Sequence, residues 1–250
     1  RDYEKIPLLI RKTYNKIDGN NWIVKLNNSK KDIEFSLFQD LQKLFSKGPV
    51  TPDHVIRIKS KPLIIMFKDI NKINNFIFEY TKKYIKYFEK YKRNVQSSVI
   101  SDPLPRIIII QGMGYFSIGR NIQEVKISSD IFTSMKYSVI DSYKIGEFKS
   151  INDKEIFKME YWPLERAKLS KKNRKIAEGK VVVITGGAGT IGIATAKKFL
   201  TQGAEVIILD KKINIKNNKN TYLFTQCLYL ECDLTKQNSI DNSLKKIVNN

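Results

Sequence analysis

Apolar residues form two short runs on either side of a glycine-rich turn in residues 180–210, and this is the clearest pattern in the chain. The β-branched run 181–184 leads into the turn, and the run 205–209 ends at Asp210. Such runs are typical of parallel strands buried on both faces. Between them, apolar residues recur at helical spacing as far as Gly203, which is expected to end the helix. The helix positions concerned are Ile191, Ala194, Ala196, Phe199 and Leu200.

Before residue 150 the chain also contains short apolar runs typical of strands and apolar residues at helical spacing. They predict helices over residues 32–45, 74–93 and 123–143, and a strand over 106–110. Residues 6–17 are amphipathic, residues 22–26 alternate in apolar character, and 63–67 is an apolar run. The glycine-rich segment 112–119 separates the predicted strand from the last of these helices, so strand, loop and helix together indicate a second α/β unit. Backbone amides in such a loop can hold a phosphate, and a tight turn would need the same glycines.

Three glycines in the first turn point to a specific chemistry. Gly187, Gly189 and Gly192 have the spacing G-x-G-x-x-G, after a predicted strand and before a predicted helix. Glycines allow a tight turn and close approach to a pyrophosphate, and the helix N-terminus offers free N–H groups. Asp210, 18 residues beyond Gly192, can accept hydrogen bonds from ribose hydroxyls. The pattern predicts a dinucleotide site; the alternative is a glycine turn with only a structural role.

With Thr185 and Gly186 in front of this motif, the segment resembles the short-chain dehydrogenase/reductase family. The family fingerprint T-G-x-x-G-x-x-G is matched in full, whereas in the other form, T-G-x-x-x-G-x-G, Thr190 stands at the middle glycine. Asp233 follows a third apolar run and resembles the family's aspartate beside the adenine, or is a solvated aspartate at a strand end. The resemblance implies cofactor-binding residues Thr185, Gly186, Gly187, Gly189, Thr190, Ile191, Gly192, Asp210 and Asp233.

The charge near the predicted ribose position favours NAD over NADP as the cofactor. A carboxylate at Asp210 would repel the 2′-phosphate that only NADP carries. Lys211 and Lys212 stand next to it and act in the opposite direction. We therefore expect NAD, with NADP as the weaker ligand.

Three blocks in the rest of the chain resemble a second family. They are GPVTPDHVIR at 48–57, QGMGYFSIG at 111–119 and EYWPLERAKL at 160–169. In this order they resemble bifunctional proteins of the rhamnulose-phosphate aldolase/alcohol dehydrogenase type, in which a class II aldolase (adducin-like) region precedes a short-chain dehydrogenase. The resemblance implies an α/β fold throughout. Its expected parts are an aldolase-like α/β region over 1–150, a connecting segment and linker over 151–178, and the first part of a Rossmann domain, a doubly wound parallel sheet, over 179–250.

The residues expected to catalyse either reaction are missing from the sequence. The dehydrogenase family uses a Tyr-x-x-x-Lys pair, and no tyrosine in this chain has a lysine four positions later. The aldolase-type metal site uses several histidines, and this chain has only His54, which cannot form that site alone. In a predicted loop, His54 is either a metal ligand or phosphate-side residue, or a hydrogen-bonded structural histidine. We expect a central fragment of a longer protein that is inactive alone, with its catalytic Tyr and Lys beyond residue 250.

The net charge of +20 is the main reason to consider nucleic-acid binding. The basic residues are mostly lysines scattered among Asn and Ile, whereas phosphate recognition favours arginine. The tyrosines and lysines of the predicted helix 74–93 resemble a stacking platform for bases, but they also fit a helix with a core face and a wet face, which we expect. Nucleic acid is therefore not an expected partner.

The remaining composition fits a nucleotide-dependent enzyme. No apolar run has the length of a membrane span, and Cys227 and Cys232 are expected to be thiols rather than a disulfide. We expect a cytoplasmic homo-oligomer that uses NAD on a sugar-derived alcohol or aldehyde. The resemblance adds sugar-phosphate aldol cleavage, with a divalent metal such as zinc, in the full-length protein. The alternative is a catalytically inactive nucleotide-binding or scaffold module.

Overall fold

The computed structural model describes residues 5–95, 99–169, 175–211 and 221–249 as eleven α-helices, seven strands and short 3-10 turns. The helices are α1 (Ile6–Asp18), α2 (Lys30–Ser36), α3 (Leu41–Phe45), α4 (Pro52–Ile58), α5 (Ile73–Tyr91), α6 (Ile122–Ile145), α7 (Asp153–Glu160), α8 (Pro163–Ala167), α9 (Thr190–Thr201), α10 (Thr221–Gln226) and α11 (Gln237–Asn249). The strands are β1 (Ile23–Asn27), β2 (Leu63–Ile65), β3 (Ile107–Ile110), β4 (Gly114–Gly119), β5 (Val181–Thr185), β6 (Glu205–Asp210) and β7 (Leu228–Glu231). They form two sheets covered by helices, so the predicted α/β class is confirmed.

The first sheet is mixed, with strand order β1-β4-β3-β2. Strand β4 is antiparallel to β1 and β3, and β2 is parallel to β3. All four isoleucines of β3 are buried. Ile108 and Ile110 pack into the core with α1 and α5, while Ile107 and Ile109 pack into the core with α2, α3 and α6. Because side chains alternate along a strand, the two cores lie on opposite faces of the sheet.

The prediction of a glycine-rich loop over 112–119 is wrong, because most of this segment is strand β4. The chain turns back after β3 and pairs antiparallel with it. Gly112 and Gly114 have φ values of +79° and +109°, and a Cβ on Gly114 would lie 2.2 Å from the Asn27 carbonyl oxygen. These glycines serve a tight turn and a close strand contact. The predicted α/β unit over 106–143 is therefore a β-hairpin followed by a helix.

The predicted helices over 74–93 and 123–143 are confirmed as α5 and α6, and the amphipathic segment 6–17 forms α1. The helix predicted over 32–45 is interrupted and forms two short helices, α2 and α3. Phe35 in α2 and Phe45 in α3 both contact Phe132 of α6, at ring-centroid distances of 5.8 and 5.9 Å. The interruption lets both aromatic rings reach the same part of the core.

The second sheet is parallel, with strand order β5-β6-β7. Helix α9 connects β5 to β6, as predicted for a βαβ unit. Val206 and Ile208 of β6 share a core with α9 and α10, whereas Ile207 and Leu209 share one with α11. Helices therefore cover both faces of the central strand β6. Cys227 and Cys232 are free thiols in this unit, as predicted.

The prediction that the strand at 181–184 is buried on both faces is wrong in the described structure. Strand β5 is an edge strand, and Val181 and Val183 are 36% and 42% exposed. They lie on the face where α11 covers β6 and β7. The apolar face of α9 is also narrower than predicted. Ala196 and Leu200 pack into the core of the second unit, but Ile191 is 84% exposed.

The segment that leads into the second sheet contacts the first unit where the structure describes it. The Arg11 guanidinium donates to the Gly179 carbonyl oxygen at 3.2 Å, and the Asn121 side-chain amide donates to Glu178 at 2.8 Å. The Glu205 carboxylate accepts from the Ile122 amide at 3.1 Å. Carboxylates at a helix N-terminus are stabilised by the free amides and the helix dipole, so α6 helps to hold the two units together. Residues 170–174 of the predicted linker lie outside the described residues.

None of the helices in the described parts of the chain is long and apolar enough to cross a membrane.

A buried ion pair joins α6 to α2 in the first unit. The Lys136 ammonium lies 2.7 Å from the Asp32 carboxylate, and the two side chains are 4% and 15% exposed. Burial raises the pKa of Asp32, but hydrogen bonds from Lys136 and Ser29 outweigh it and hold the pKa below its usual value. The rings of Phe35 and Tyr115 surround the ammonium. Loss of the carboxylate would leave this charge without a partner in an apolar environment.

We predict that Asp32→Asn lowers the free energy of unfolding by about 3 kcal/mol at pH 7, the size of effect expected when one partner of a buried pair is removed. The matched control is Asp141→Asn, which breaks the exposed Lys144–Asp141 pair of α6 and should cost about 1 kcal/mol or less. Urea denaturation measures both. Asp32 has a lowered pKa, so its contribution is present above its unfolded-state pKa and should vanish as the pH falls through its folded-state pKa. Equal losses for the two variants would contradict this account.

Candidate functional site

The glycine turn lies between β5 and α9, at the C-terminal ends of the parallel strands. Thr185 ends β5, and Gly186 adopts a left-handed conformation with φ of +61°. The Gly189 amide donates to the Gly186 carbonyl oxygen at 3.1 Å and Gly189 caps α9. Thr190, Ile191 and Gly192 form the first turn of that helix, whose first amides have no partners within the helix. The turn directs these amides towards the edge of the sheet where α/β proteins bind ligands.

The three motif glycines have different steric roles. A Cβ on Gly187 would lie 2.7 Å from the Ile208 side chain, and one on Gly192 would lie 2.4 Å from the Gly186 carbonyl oxygen. A Cβ on Gly189 would meet only the Gly186 oxygen, at an ordinary contact distance of 3.4 Å. The packing of the protein therefore requires Gly187 and Gly192 but leaves the exposed Gly189 open to an approaching ligand.

Asp210 lies beside the glycine turn, so the structure brings together the two predicted parts of the site. One carboxylate oxygen accepts from the Ala188 amide at 2.8 Å, and the other accepts from the Lys211 amide at 2.8 Å. Sequence reasoning did not identify Ala188 as the anchor of this carboxylate, because its contribution is a backbone amide. Lys212 lies outside the described residues.

Asp233 follows β7 and makes its contacts within its own loop. Its carboxylate accepts from the Thr235 amide and hydroxyl at 3.1 and 2.7 Å, and these bonds hold its pKa below the usual range. Its backbone amide donates to Ser239 at 2.9 Å, and Lys236 lies 3.7 Å away. These contacts fix the loop between β7 and α11. A role for Asp233 beside an adenine stays a prediction.

His54 lies in helix α4 and not in a loop, so the predicted loop is wrong. The ring is 5% exposed, and its Nδ1 atom lies 2.6 Å from the Thr51 hydroxyl. Burial lowers its pKa, against the opposing effects of Asp53 and the Ile131 backbone. The described residues contain no group of three or more His, Cys, Asp or Glu side chains that could hold a metal ion. They do not fit the implied zinc site, and a metal role for His54 stays a prediction.

Comparison with known proteins finds one family on each side of the segment that separates the two sheets. The family described as class II aldolase, second domain, matches residues 2–169, and the short-chain dehydrogenase family matches residues 180–250. The second match contains the glycine turn and Asp210.

Three curated relatives match different shares of the chain. The uncharacterized oxidoreductase YuxG of Bacillus subtilis (strain 168) is 27% identical over 80% of this chain and 31% of its own length. Tropinone reductase-like 1 of Erythroxylum coca is 40% identical over 27% of this chain and 25% of its own. (+)-Borneol dehydrogenase 1 of Salvia officinalis is 38% identical over 26% of this chain and 25% of its own. The chain thus spans about a third or less of each of these relatives.

The aldolase match extends over well more than half of the chain, and it coincides with the first sheet and its helices. The dehydrogenase match coincides with the parallel β5-β6-β7 sheet and its glycine turn. The chain therefore belongs to the class II aldolase second-domain family, and it is an aldolase–dehydrogenase fusion in which a short-chain dehydrogenase region follows the aldolase domain.

Proposed function

We propose that the second unit binds NAD, and NADP more weakly, and that the whole protein uses it to oxidise or reduce a sugar-derived alcohol or aldehyde. The observation that supports this most strongly is the position of the Asp210 carboxylate, 2.8 Å from the Ala188 amide of the glycine turn. The bound cofactor would accept a hydride in its oxidised form and supply one in its reduced form. The residues of this chain would bind and orient it.

The start of α9 suits the pyrophosphate of the cofactor. Free amides and the positive end of the helix dipole attract a phosphate, and the exposed Gly189 has no side chain to keep it away. Thr190 and Ile191 are also exposed at this helix end. Together with Thr185, Gly186, Gly187 and Gly192, they form the proposed pyrophosphate site.

The charge of Asp210 supports the preference for NAD. Both of its oxygens are already held by backbone amides, which fixes the carboxylate in place and leaves lone pairs on each oxygen for ribose hydroxyls. A 2′-phosphate at the same place would meet a like charge. The neighbouring Lys211 is exposed, and its positive charge would instead favour the 2′-phosphate of NADP.

The activity of the whole protein is part of the same proposal. Relatives named as a reductase and a dehydrogenase each match about a quarter of this chain, the short-chain dehydrogenase family matches the second region, and the first region belongs to an aldolase family. We propose aldol cleavage of a sugar phosphate for the whole protein, with a divalent metal held by residues other than those described. We further propose a cytoplasmic homo-oligomer without nucleic-acid or membrane partners.

A nucleotide-binding module without catalysis is the second candidate. It is supported by the lack of a Tyr-x-x-x-Lys pair in the sequence and of a metal-binding cluster in the described residues. Both candidates require the NAD site, so the experiments below test the feature they share.

We predict that Asp210→Asn weakens NAD binding about ten- to a hundredfold, because hydrogen bonds to a charged group contribute roughly 1.5–3 kcal/mol. NADP binding should hold or improve, because the repulsion is removed while an oxygen remains for the Ala188 amide. Fluorescence titration with both cofactors measures this. Asp241→Asn is the control, since Asp241 is an exposed acid of α11. If both cofactors lose affinity equally, Asp210 has a structural role and does not select the cofactor. If the unmodified chain binds NADP more tightly than NAD, Lys211 binds the 2′-phosphate and the assignment is wrong.

We predict that alanine has opposite effects at two glycines of the same turn. Gly189→Ala should change the free energy of unfolding by less than about 1 kcal/mol, as for other changes at a helix cap, but should weaken NAD binding because the new methyl group meets the ligand. Gly192→Ala should destabilise the protein by about 1–3 kcal/mol, as overpacking does. Denaturant unfolding and NAD titration of both variants measure this. Unchanged NAD affinity in Gly189→Ala would place the cofactor elsewhere.

A further inference from the structure

Tyr229 of β7 lies on the same face of the second sheet as Asp210 of β6. In the parallel pairing of these two strands, Tyr229 stands opposite Ile208 and Asp210 stands opposite Glu231. Side chains two residues apart point to the same face of a strand, so Ile208, Asp210 and Tyr229 share one face. It is the face covered by α9, because Ile208 and Tyr229 both pack into the core that contains this helix.

The Tyr229 hydroxyl contacts the backbone where the chain leaves β6. It donates to the Lys211 carbonyl oxygen at 2.5 Å and lies 3.4 Å from the Asp210 carbonyl oxygen. The Asp210 carbonyl oxygen also accepts from the Cys232 amide at 2.8 Å. Contacts to two successive carbonyl groups therefore fix the backbone at Asp210 and Lys211.

This piece of backbone sets the direction of the Asp210 carboxylate. One carboxylate oxygen accepts from the Lys211 amide at 2.8 Å, and the other accepts from the Ala188 amide at 2.8 Å. Ala188 is part of the tightly packed glycine turn, whereas Lys211 is exposed beyond the end of the strand. The Tyr229 hydroxyl restrains the more exposed of these two anchors.

The ring of Tyr229 is itself held by the core of the second unit. It packs edge-on against Phe224 of α10, with the ring centroids 5.9 Å apart and the ring planes at 80°. Phe224 is buried. Because a tyrosine has only two side-chain torsions to fix, this packing leaves its hydroxyl little freedom to move away from the Lys211 carbonyl.

We propose that Tyr229 is a positioning residue for recognition of the cofactor's adenosine ribose. Its hydroxyl holds the backbone at Lys211, and the Lys211 amide holds the carboxylate that would accept the ribose hydroxyls. This role rests on the NAD site proposed above and acts through Asp210. Preorganised groups bind a ligand more tightly because less ordering remains when it binds, so the hydroxyl of Tyr229 should affect the ribose contact and not the pyrophosphate contact.

Isothermal titration of the 250-residue chain with ADP and with 2′,3′-dideoxy-ADP tests this role, because the two nucleotides differ only in the ribose hydroxyls. We expect Tyr229→Phe to weaken ADP binding about three- to tenfold, the size of one lost hydrogen bond, and to leave binding of 2′,3′-dideoxy-ADP unchanged. In an Asp210→Ala background, Tyr229→Phe should have no further effect on ADP, because residues that act through one another are not additive.

The matched control is Tyr222→Phe, which removes the hydroxyl of an exposed tyrosine of α10 and should change the binding of neither nucleotide. Amide hydrogen exchange of the unliganded chain gives a second readout. The Lys211 amide should exchange faster in Tyr229→Phe, whereas the Gly189 amide, which donates to the Gly186 carbonyl oxygen at 3.1 Å, should be unaffected.

The outcomes separate this role from the NAD site on which it rests. If the unmodified chain binds neither NAD nor ADP, the NAD site is refuted and the role of Tyr229 with it. If ADP binds, the role of Tyr229 alone is refuted by any of three results: ADP affinity is unchanged in Tyr229→Phe, both nucleotides lose affinity equally, or exchange at Lys211 is unchanged.

Discussion

Helix α9 can approach the ends of β5 and β6 only because positions 187 and 192 carry no side chain. A methyl group at either place would lie 2.7 Å or less from neighbouring atoms. This close approach puts the free amides at the start of α9 next to Ala188, whose own amide holds Asp210. The helix end, the turn and the acidic strand end thus depend on one steric condition, and the proposed NAD site follows from it.

The close packing of α9 also explains why two of the motif glycines are enclosed by the fold while the third is accessible to a ligand. Gly187 and Gly192 are used for internal packing, whereas Gly189 is exposed and has only ordinary contacts. A ligand can approach the one glycine that the fold does not need. The carboxylate of Asp210 is already held by two amides, so little ordering would be required when a ribose binds.

Local patterns were sufficient to predict the βαβ unit and the two long helices α5 and α6, because the apolar positions that recur along these segments are the positions that pack against the rest of the fold. They failed where distant contacts decide the structure. Gly112 and Gly114 resemble a ligand loop in sequence, but Gly114 is required by the close approach of Asn27, which lies far away in the chain. The interruption between α2 and α3 is set in the same way by the shared contact with Phe132.

The candidate site, like the fold, could be predicted only in part from the sequence. The motif and the acidic strand end could be identified from spacing, whereas the Ala188 amide could not, because a backbone group leaves no mark in the sequence. The half-exposed face of β5 was also missed, since a β-branched run looks the same whether one or both faces are covered. His54 appeared to lie in a loop after Pro52, but a proline suits the first turn of a helix, and α4 begins there.

We propose that the glycine turn and Asp210 form one dinucleotide site. The most direct test is a titration of the ¹⁵N-labelled 250-residue chain with NAD, followed by amide chemical shifts. We expect saturable shifts at Ala188, Gly189, Thr190, Ile191 and Lys211, with the amides of the first sheet unchanged. Shifts confined to the first unit, or no shifts at the turn at saturating NAD, would contradict it.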